Sequence, residues 1–385
     1  MEDISYILNE LGEGDMEHYR AVSPPIVQTS NFAFRDVSAL RKALGDEYHA
    51  RVYSRGNNPT IDILRQKLAA LDGAEDALVF SSGMAAISTA ILANVGQGDQ
   101  IISVSRPYSW TEQLFKTLLP RFGITTTFVD GCDVRHFEDA ICGHTKLIYL
   151  ESPNSFSYGL QDLEKVAALA KKKDILTLVD NSYCTPFYQQ PYRMGIDLCV
   201  QSATKYIGGH SDVVAGVLTG SKAMIRKIFN AEFLNLGANI SPMNAWLLLR
   251  GLRTLPVRMQ RVSETAGKLI AFLEKHPRVE KVLYPLHPSF AQYELAKKQM
   301  KGAGGLFTIL LKADTASEIE QFCNKLRHFQ LGVSWGGYES LVLPALAGFP
   351  AEHFNPQDAF HRMIRLYAGL EEADYLIKDL EQALQ

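Results

Sequence analysis

The chain has 385 residues, of which 46% are hydrophobic and 21% charged, a composition typical of a folded globular protein with more than one domain. The formal net charge of −3 predicts neither a nucleic-acid partner nor a membrane surface, because both favour an excess of basic residues. The acidic first twenty residues lack the basic and apolar regions of a signal peptide, and no apolar run approaches the roughly 20 residues of a membrane span. Five scattered cysteines without a CxxC spacing predict reduced thiols and a cytoplasmic location.

The first 240 residues predict an α/β domain behind an irregular N-terminal segment (1–50), which two adjacent prolines interrupt. Helical spacing begins at Pro59 and ends at Gly73, and further helices are expected over 84–95 and 163–173. Short apolar runs predict buried strands at 77–80, 100–104, 125–129, 146–151, 174–180 and 198–203. Strands that alternate with helices imply a mostly parallel sheet with both faces covered.

The pattern changes after residue 240. A long helix is expected over 245–276, with an interruption near Pro256, followed by a strand at 305–311 and helices at 317–329 and 373–384. Strands and helices are segregated here, which predicts a smaller α+β domain. The expected divisions are therefore an N-terminal arm (1–50), a large domain (51–240) and a C-terminal domain (241–385).

One lysine lies in an unusual setting, the stretch QSATKYIGGHSDVVAG (201–216). Lys205 follows a predicted strand, and Asp180 ends the preceding one, at the edge where open α/β sheets bind ligands. A simple ion pair would account for both residues. The alternative is pyridoxal phosphate chemistry, in which the lysine forms a Schiff base and the carboxylate keeps the pyridine nitrogen protonated.

Three further features fit that cofactor. The stretch SSGMAA (81–86) follows a strand and opens a helix, where backbone N–H groups bind anions. Ser202 and Thr204 add hydroxyl donors immediately before Lys205, and Tyr108 follows another strand and offers a ring to stack on the pyridine. An anion site, a stacking ring, a carboxylate and a Schiff-base lysine together indicate pyridoxal 5'-phosphate.

The chain resembles the Cys/Met-metabolism family of pyridoxal-phosphate enzymes, which includes cystathionine β- and γ-lyases, cystathionine γ-synthase, methionine γ-lyase and O-acetylhomoserine sulfhydrylase. The matching stretches span nearly the whole chain: 53–60, 81–86, 179–186, 201–216, 245–255, 334–341 and 364–384. The resemblance implies an aspartate-aminotransferase-like fold, with a mostly parallel central sheet and a smaller C-terminal α+β domain. It also implies a homotetramer built from two active dimers, in which the N-terminal arm contacts a neighbouring subunit.

The same resemblance assigns roles to particular residues. Lys205 would hold the cofactor covalently, Asp180 would pair with the pyridinium nitrogen, and Tyr108 would stack on the ring and assist proton transfer. The phosphate would be held by Ser82, Gly83, Met84, Ser202 and Thr204, with Tyr53 and Arg55 reaching it from a neighbouring subunit. The substrate would contact Arg365, Ser334, Trp335, Asn154 and Tyr53.

Arg365 is assigned to the substrate's α-carboxylate, because a guanidinium binds both oxygens at once. A surface ion pair is the alternative explanation for this arginine. Its apolar neighbours in IRLYAGL favour the carboxylate-binding role.

The subtype is predicted from small differences. Val52 and Val333 stand where γ-acting enzymes of cystathionine often carry acids, and Trp335 resembles bacterial cystathionine β-lyases. Val333 also resembles methionine γ-lyase and the sulfhydrylase, whereas Trp110 replaces a cysteine that methionine γ-lyases carry. The segments 151–156 and 343–354 depart from the family pattern.

The favoured function is a cystathionine β-lyase, which converts cystathionine to homocysteine, pyruvate and ammonia. The alternative is a γ-eliminating or γ-replacing enzyme, such as O-acetylhomoserine sulfhydrylase, cystathionine γ-synthase or methionine γ-lyase. A catalytically silent, cofactor-binding regulatory protein is a further alternative from another class, as is a metabolite-binding module without cofactor.

Overall fold

The computed structural model describes residues 3–14 and 21–385. A seven-stranded sheet forms the larger part of the molecule, and a five-stranded sheet forms the smaller part. The strands of the large sheet are β1 (Asp76–Phe80), β2 (Gln100–Val104), β3 (Thr125–Val129), β4 (Thr145–Glu151), β5 (Leu176–Asp180), β6 (Leu198–Ser202) and β7 (Gly216–Gly220). The α/β class with a mostly parallel central sheet and a second, smaller sheet domain is confirmed.

The large sheet has the strand order β1-β7-β6-β5-β4-β2-β3. The pairs from β6 to β3 are parallel, whereas β7 runs antiparallel to both β6 and β1. The carboxyl ends of β1, β2, β4, β5 and β6 therefore meet at one edge of the sheet. This is the edge at which an open α/β sheet binds its ligand.

The helices of the larger part are α1 (Ile4–Asn9), α2 (Val37–Leu44), α3 (Pro59–Asp72), α4 (Gly83–Leu92), α5 (Ser109–Gln113), α6 (Val134–Ala140), α7 (Leu163–Lys172), α8 (Thr185–Tyr188), α9 (Lys222–Ile228) and α10 (Leu234–Leu236). Helix α3 begins and ends as its sequence predicts. The side chain of Asn58 accepts a hydrogen bond from the Thr60 N–H at 3.0 Å, and the backbone of Gly73 is left-handed, with φ of 70°.

The N-terminal segment is less irregular than expected, because it contains α1 and α2. Residues 1, 2 and 15–20 of the predicted arm lie outside the described residues. Helix α1 packs on α3, where the fully buried Lys67 donates hydrogen bonds to the carbonyls of Ile7 at 2.9 Å and Leu8 at 3.2 Å. The Lys67 ammonium also lies 3.0 Å from Glu13 Oε1. These contacts fasten α1 to its own chain.

The smaller sheet contains β8 (Val279–Leu283), β9 (Leu306–Leu311), β10 (Gln330–Leu331), β11 (Leu341–Pro344) and β12 (Met363–Tyr367), in the order β10-β11-β12-β9-β8. Two helices, α11 (Pro242–Arg253) and α12 (Leu255–Leu273), lead into this smaller part. It also contains α13 (Tyr293–Gln299), α14 (Ala316–Lys325) and α15 (Ala373–Leu384). The expected break in the long helix falls at Thr254. Because α11 packs on α3, the boundary at residue 240 stays a prediction.

Three tyrosines of the larger part hold the two sheets together beside the sheet edge described above. The Tyr206 hydroxyl accepts a hydrogen bond from the Gly305 N–H at 2.9 Å, and the Tyr183 hydroxyl donates to the Leu306 carbonyl at 3.0 Å. The hydroxyls of Tyr158 and Thr308 are 3.1 Å apart. Strand β9 and the loops around it are thus fixed against the larger part. Within residues 3–14 and 21–385, no helix has the length and apolar character needed to cross a membrane.

Candidate active site

Lys205 lies three residues beyond the end of β6 and is half-buried between the two parts of the molecule. Its Nζ donates a hydrogen bond to Ser334 Oγ at 2.7 Å and lies 5.4 Å from the centre of the Trp335 ring. Burial, with a smaller effect of the positive charge on Arg365, lowers the pKa of this amine to about 8. About a tenth of the amine is therefore uncharged at pH 7, far more than for an ordinary lysine, and able to act as a nucleophile.

Asp180 ends β5, the strand next to β6. Its Oδ1 accepts a hydrogen bond from the Ser182 N–H at 2.9 Å. Burial raises the pKa of the carboxyl group, while the Ser182 hydrogen bonds and the charge of Lys205 act in the opposite direction. Lys205 and Asp180, both in the described part of the chain, influence each other's charge without ion-pair contact, so a simple ion pair does not account for them.

A cradle for an anion forms where β1 leads into α4. The Ser82 side chain caps this helix and accepts the Ala85 N–H at 3.0 Å, which leaves the N–H groups of Gly83 and Met84 in the first turn without a helical partner. A Cβ atom on Gly83 would lie 3.1 Å from the Cβ of Ser202, so glycine allows the helix to begin close to β6. A side chain on Gly216 would overlap the Ser82 carbonyl oxygen. This close approach brings the Ser202 side chain beside the N–H groups of α4.

Thr204 is placed near the cradle, but its hydroxyl group already has partners. It donates to the Ala215 carbonyl at 3.2 Å and accepts the Ala215 N–H at 3.0 Å. A phosphate would receive a hydrogen bond from Thr204 only in exchange for the longer of these two bonds. The Ser202 backbone N–H donates to Ser182 Oγ at 2.6 Å.

Tyr108 immediately precedes α5 and is 44% exposed at the same sheet edge. Its backbone N–H donates to Glu151 Oε2 at 2.6 Å. Burial, together with the charge of Asp180, raises the pKa of the phenol. The hydroxyl group is therefore protonated at neutral pH and able to donate a proton.

Glu151 was not predicted as a site residue, although it ends β4 with its Cα paired to that of Asp180 on β5. It is only 5% exposed, and its Oε1 accepts the Ser155 N–H at 3.3 Å. Burial and the negative charge of Asp180 raise the pKa of this carboxyl group, while the N–H groups of Tyr108 and Ser155 lower it. The signal in the sequence was a charged residue that ends an apolar strand at the ligand-binding edge of the sheet.

Arg365 is the third residue of β12 and is 6% exposed. Its Nη2 donates to the Val333 carbonyl at 2.8 Å and its Nη1 to the Ser155 carbonyl at 3.4 Å, and the guanidinium lies 4.9 Å from the centre of the Phe156 ring. Among the described residues no carboxylate forms an ion pair with it, so the surface ion pair is not what the structure contains. A buried guanidinium without a carboxylate partner is suited to binding one from a ligand.

Ser334 and Trp335 reach Lys205 from the smaller part of the molecule. The Trp335 indole is buried and lies 5.3 Å from the Tyr206 ring, so it forms the wall behind the lysine, whereas the preceding Val333 is 80% exposed. Asn154 lies in the loop after β4, where its amide donates to the Arg106 carbonyl at 2.6 Å and accepts the Phe156 N–H at 3.0 Å. Most of the hydrogen-bonding capacity of Asn154 therefore serves the loop.

Tyr53 and Arg55 are both exposed, and the guanidinium lies 5.6 Å from the centre of the Tyr53 ring. Within the described residues of this one chain, neither side chain hydrogen bonds to the groups around Lys205. Of the predicted residues, the chain brings together those from residue 82 onward, and it leaves this pair on the surface.

The family model for Cys/Met metabolism PLP-dependent enzymes matches residues 7–385. L-methionine gamma-lyase of Pseudomonas putida is 36% identical over 380 residues, covering 97% of this chain and 95% of that protein. Cystathionine gamma-lyase of Homo sapiens is 38% identical over 371 residues, covering 95% of this chain and 89% of that protein.

A solved structure is also similar over the whole chain. It is the crystal structure of a putative O-acetylhomoserine (thiol)-lyase from Campylobacter jejuni, with N'-pyridoxyl-lysine-5'-monophosphate at position 205 of that protein. The two structures match with a TM-score of 0.92 at 29% sequence identity, covering 100% of each chain. By the family match and the near-complete coverage of its relatives, the chain belongs to the Cys/Met metabolism family of pyridoxal-phosphate-dependent enzymes, which act as lyases in sulfur amino-acid metabolism.

Proposed function

We propose that this chain is a carbon–sulfur lyase that binds pyridoxal 5'-phosphate covalently through Lys205 and acts on a small sulfur-containing amino acid. The observation that carries the proposal is the Lys205 amine itself. It lies at the ligand-binding edge of the sheet, has a pKa lowered to about 8 and hydrogen bonds to Ser334 Oγ. The pyridoxyl-lysine described for the Campylobacter jejuni structure supports the same attachment here.

The residues of the site fit this cofactor. The free N–H groups at the start of α4 and the Ser202 hydroxyl can donate hydrogen bonds to a phosphate. The close packing of Gly83 against Ser202 places these donors beside one another. The Asp180 carboxylate can pair with a protonated pyridine nitrogen, and the half-exposed ring of Tyr108 can stack on the pyridine. When bound, pyridoxal phosphate supplies an electron-withdrawing ring that stabilises negative charge at the substrate Cα.

Side chains of the protein bind the substrate and transfer the protons. The Arg365 guanidinium binds the substrate α-carboxylate and fixes the direction of the Cα–H bond. The substrate's amino group would first replace Lys205 on the cofactor, and the released Lys205 amine would then take the Cα proton, which its lowered pKa permits near neutral pH. The Tyr108 phenol, protonated because its pKa is raised, donates a proton to the departing thiolate.

For the subtype, we propose the cystathionine β-lyase reaction, with homocysteine, pyruvate and ammonia as products. Val333 lies at the exposed position next to Ser334 and offers no carboxylate. Without a carboxylate there, the site would bind the distal ammonium of cystathionine less well in the orientation that γ-acting enzymes use. The buried Trp335 indole limits the space behind Lys205. Both features favour cleavage at Cβ of a substrate whose longer arm points away from this wall.

Elimination or replacement at Cγ is the second candidate, and the names of the relatives favour it. L-methionine gamma-lyase and cystathionine gamma-lyase are 36% and 38% identical to this chain, and the solved neighbour is a putative O-acetylhomoserine (thiol)-lyase. In this alternative the Lys205 amine would remove a second proton, from Cβ.

Two exposed residues bear on how copies of the chain assemble. Tyr53 and Arg55 are exposed in a single chain, and a phosphate-binding role for them requires a second copy whose cradle they reach. We infer an active dimer that shares its sites and a homotetramer formed by two such dimers. A cytoplasmic location is likewise inferred, from the five unpaired thiols.

Incubation of the purified protein with cystathionine, followed by mass spectrometry of the products, tests the subtype. Pyruvate with homocysteine supports β-elimination, whereas 2-oxobutyrate with cysteine contradicts it and supports the γ-lyase. Acetate and homocysteine from O-acetylhomoserine plus sulfide would instead support the sulfhydrylase. If the protein binds the cofactor but added amino acids do not change its absorption spectrum, the result would support a catalytically silent regulatory protein.

A further inference from the structure

Glu151 is a buried carboxylate at the centre of the site to which none of the roles above has been assigned. It ends β4, directly beside Asp180 on β5, and is 5% exposed. Since neighbouring strands in register direct paired residues to the same face of a sheet, the two carboxylates face the same side. Burial of one carboxylate beside another is unfavourable, and such an arrangement is typical of functional sites.

The two oxygens of Glu151 bind two different backbone segments. Oε2 accepts the Tyr108 N–H at 2.6 Å, and Oε1 accepts the Ser155 N–H at 3.3 Å. The carbonyl of the same Ser155 accepts Arg365 Nη1 at 3.4 Å. One carboxylate thus connects the segment that carries the phenol with the turn that contacts the guanidinium.

A carboxylate is suited to this position because it has two acceptor oxygens and, when ionised, no donor. A glutamine of the same shape offers one acceptor oxygen and an NH₂ group, which would face one of the two N–H groups. Charged and titratable groups surround Glu151: Asp180 on β5, Arg365 on β12, Tyr108 before α5 and Tyr149 on its own strand. The negative charge of Asp180 and burial raise the pKa of Glu151, and the two N–H groups and Arg365 lower it.

We propose that Glu151 is a positioning residue of this active site, which holds Tyr108 against the cofactor ring through its backbone and aligns Arg365 through the Ser155 turn. The inference rests on the proposed function, because it concerns the placement of the two groups that serve the cofactor and the substrate. Glu151 itself touches neither; it acts through backbone N–H groups.

The test compares Glu151→Gln with Glu112→Gln, a control on α5 whose half-buried carboxylate pairs with Lys116 at the surface. Loss of the short hydrogen bond that the Glu151 carboxyl group accepts from the Tyr108 N–H is expected to weaken the affinity of the apo-protein for pyridoxal phosphate about tenfold. The same loss is expected to lower kcat between about tenfold and 100-fold, with a several-fold increase in KM through Arg365. Glu112→Gln is expected to match the wild-type protein in all three quantities.

A double-mutant cycle separates positioning from general destabilisation. If Glu151 acts on the ring of Tyr108, then Glu151→Gln should weaken cofactor binding much less in a Tyr108→Ala background, where no ring remains to be placed. Equal weakening in both backgrounds overturns the proposal, as does a Glu151→Gln variant that behaves like Glu112→Gln. If Glu151→Gln does not fold, Glu151→Asp replaces it, and wild-type kcat and cofactor affinity in that shorter variant overturn the proposal.

Measurements on the wild-type protein separate a failure of the proposed function from a failure of the role of Glu151. Absence of both a cofactor absorption band and turnover from the wild-type protein would contradict the proposed function and, with it, the role of Glu151. A wild-type protein with normal cofactor binding and turnover, together with an unaffected Glu151→Gln variant, contradicts the role of Glu151 alone.

Discussion

Replacement of Arg365 by alanine should impair substrate binding far more than it impairs the chemical step. Arg365 is 6% exposed, and its guanidinium has no carboxylate partner among the described residues and donates to the carbonyls of Val333 and Ser155. A bound α-carboxylate would therefore form a desolvated ion pair, and truncation of one member of such a pair costs about 2–5 kcal/mol. That corresponds to an increase in KM of between about 30-fold and several thousand-fold.

The assay compares sulfur amino-acid substrates with the corresponding amines that lack the α-carboxylate. The wild-type protein should prefer the amino acid by a factor of the same size as the mutational effect, whereas Arg365→Ala should barely distinguish the two. Arg365→Lys keeps the charge without the planar fork, and it should lie between the wild-type protein and the alanine variant. Arg362→Ala removes a neighbouring arginine that pairs with Glu280 and should leave KM unchanged. A KM for Arg365→Ala within about threefold of the wild-type value would refute this role for Arg365.

Three other predictions concern the amine, the phenol and the N-terminal helix. The rate at which the apo-protein incorporates pyridoxal phosphate should increase with pH and level off above about pH 8, because only the unprotonated Lys205 amine reacts and burial lowers its pKa to about 8; a rate that does not vary with pH contradicts this. Tyr108→Phe should reduce kcat about 100-fold while cofactor affinity, measured by absorbance titration, changes little, since the ring remains; comparable losses in both would refute a proton-donor role. Lys67→Met should lower the free energy of unfolding in urea by about 3 kcal/mol, because it deprives Glu13 and two backbone carbonyls of a buried ammonium. The exposed Lys42→Met is its control, and equal stability of the two variants counts against the buried contact.

Local pattern was sufficient for the elements with clear boundaries. The strands 100–104 and 125–129 and the helix 373–384 have the predicted limits, and α3 begins and ends at its predicted signals. Strand β7 was not predicted, because its five residues begin and end with glycine and depend on antiparallel pairing with β1 and β6.

Tertiary contacts decide other boundaries. The helix expected over 317–329 ends at Lys325, because the N–H groups of Arg327 and His328 donate to the Asp379 carboxylate at 2.9 Å and 2.8 Å. That contact joins segments about fifty residues apart, and no local pattern contains it. The helices within the first fifty residues are short, and α1 depends on its contact with Lys67.

The candidate site was predictable where residues follow parallel strands. Tyr108, Asp180 and Lys205 meet because the carboxyl ends of β2, β5 and β6 share one edge. Glu151 was missed because its importance comes from its register with Asp180 and from a hydrogen bond to a backbone N–H 43 residues away. The contact of Lys205 with Ser334, across 129 residues, likewise depends on how the two sheets pack.

The covalent attachment of the cofactor is the central claim, and borohydride reduction of the holoenzyme tests it most directly. Reduction fixes the cofactor to its lysine, and mass spectrometry of the digested protein then identifies the modified residue. The account predicts a phosphopyridoxyl group on Lys205, with no modification at this position and no covalent cofactor elsewhere in a Lys205→Ala variant. A phosphopyridoxyl group on another lysine, or an unmodified Lys205 in a turnover-competent protein, would contradict it.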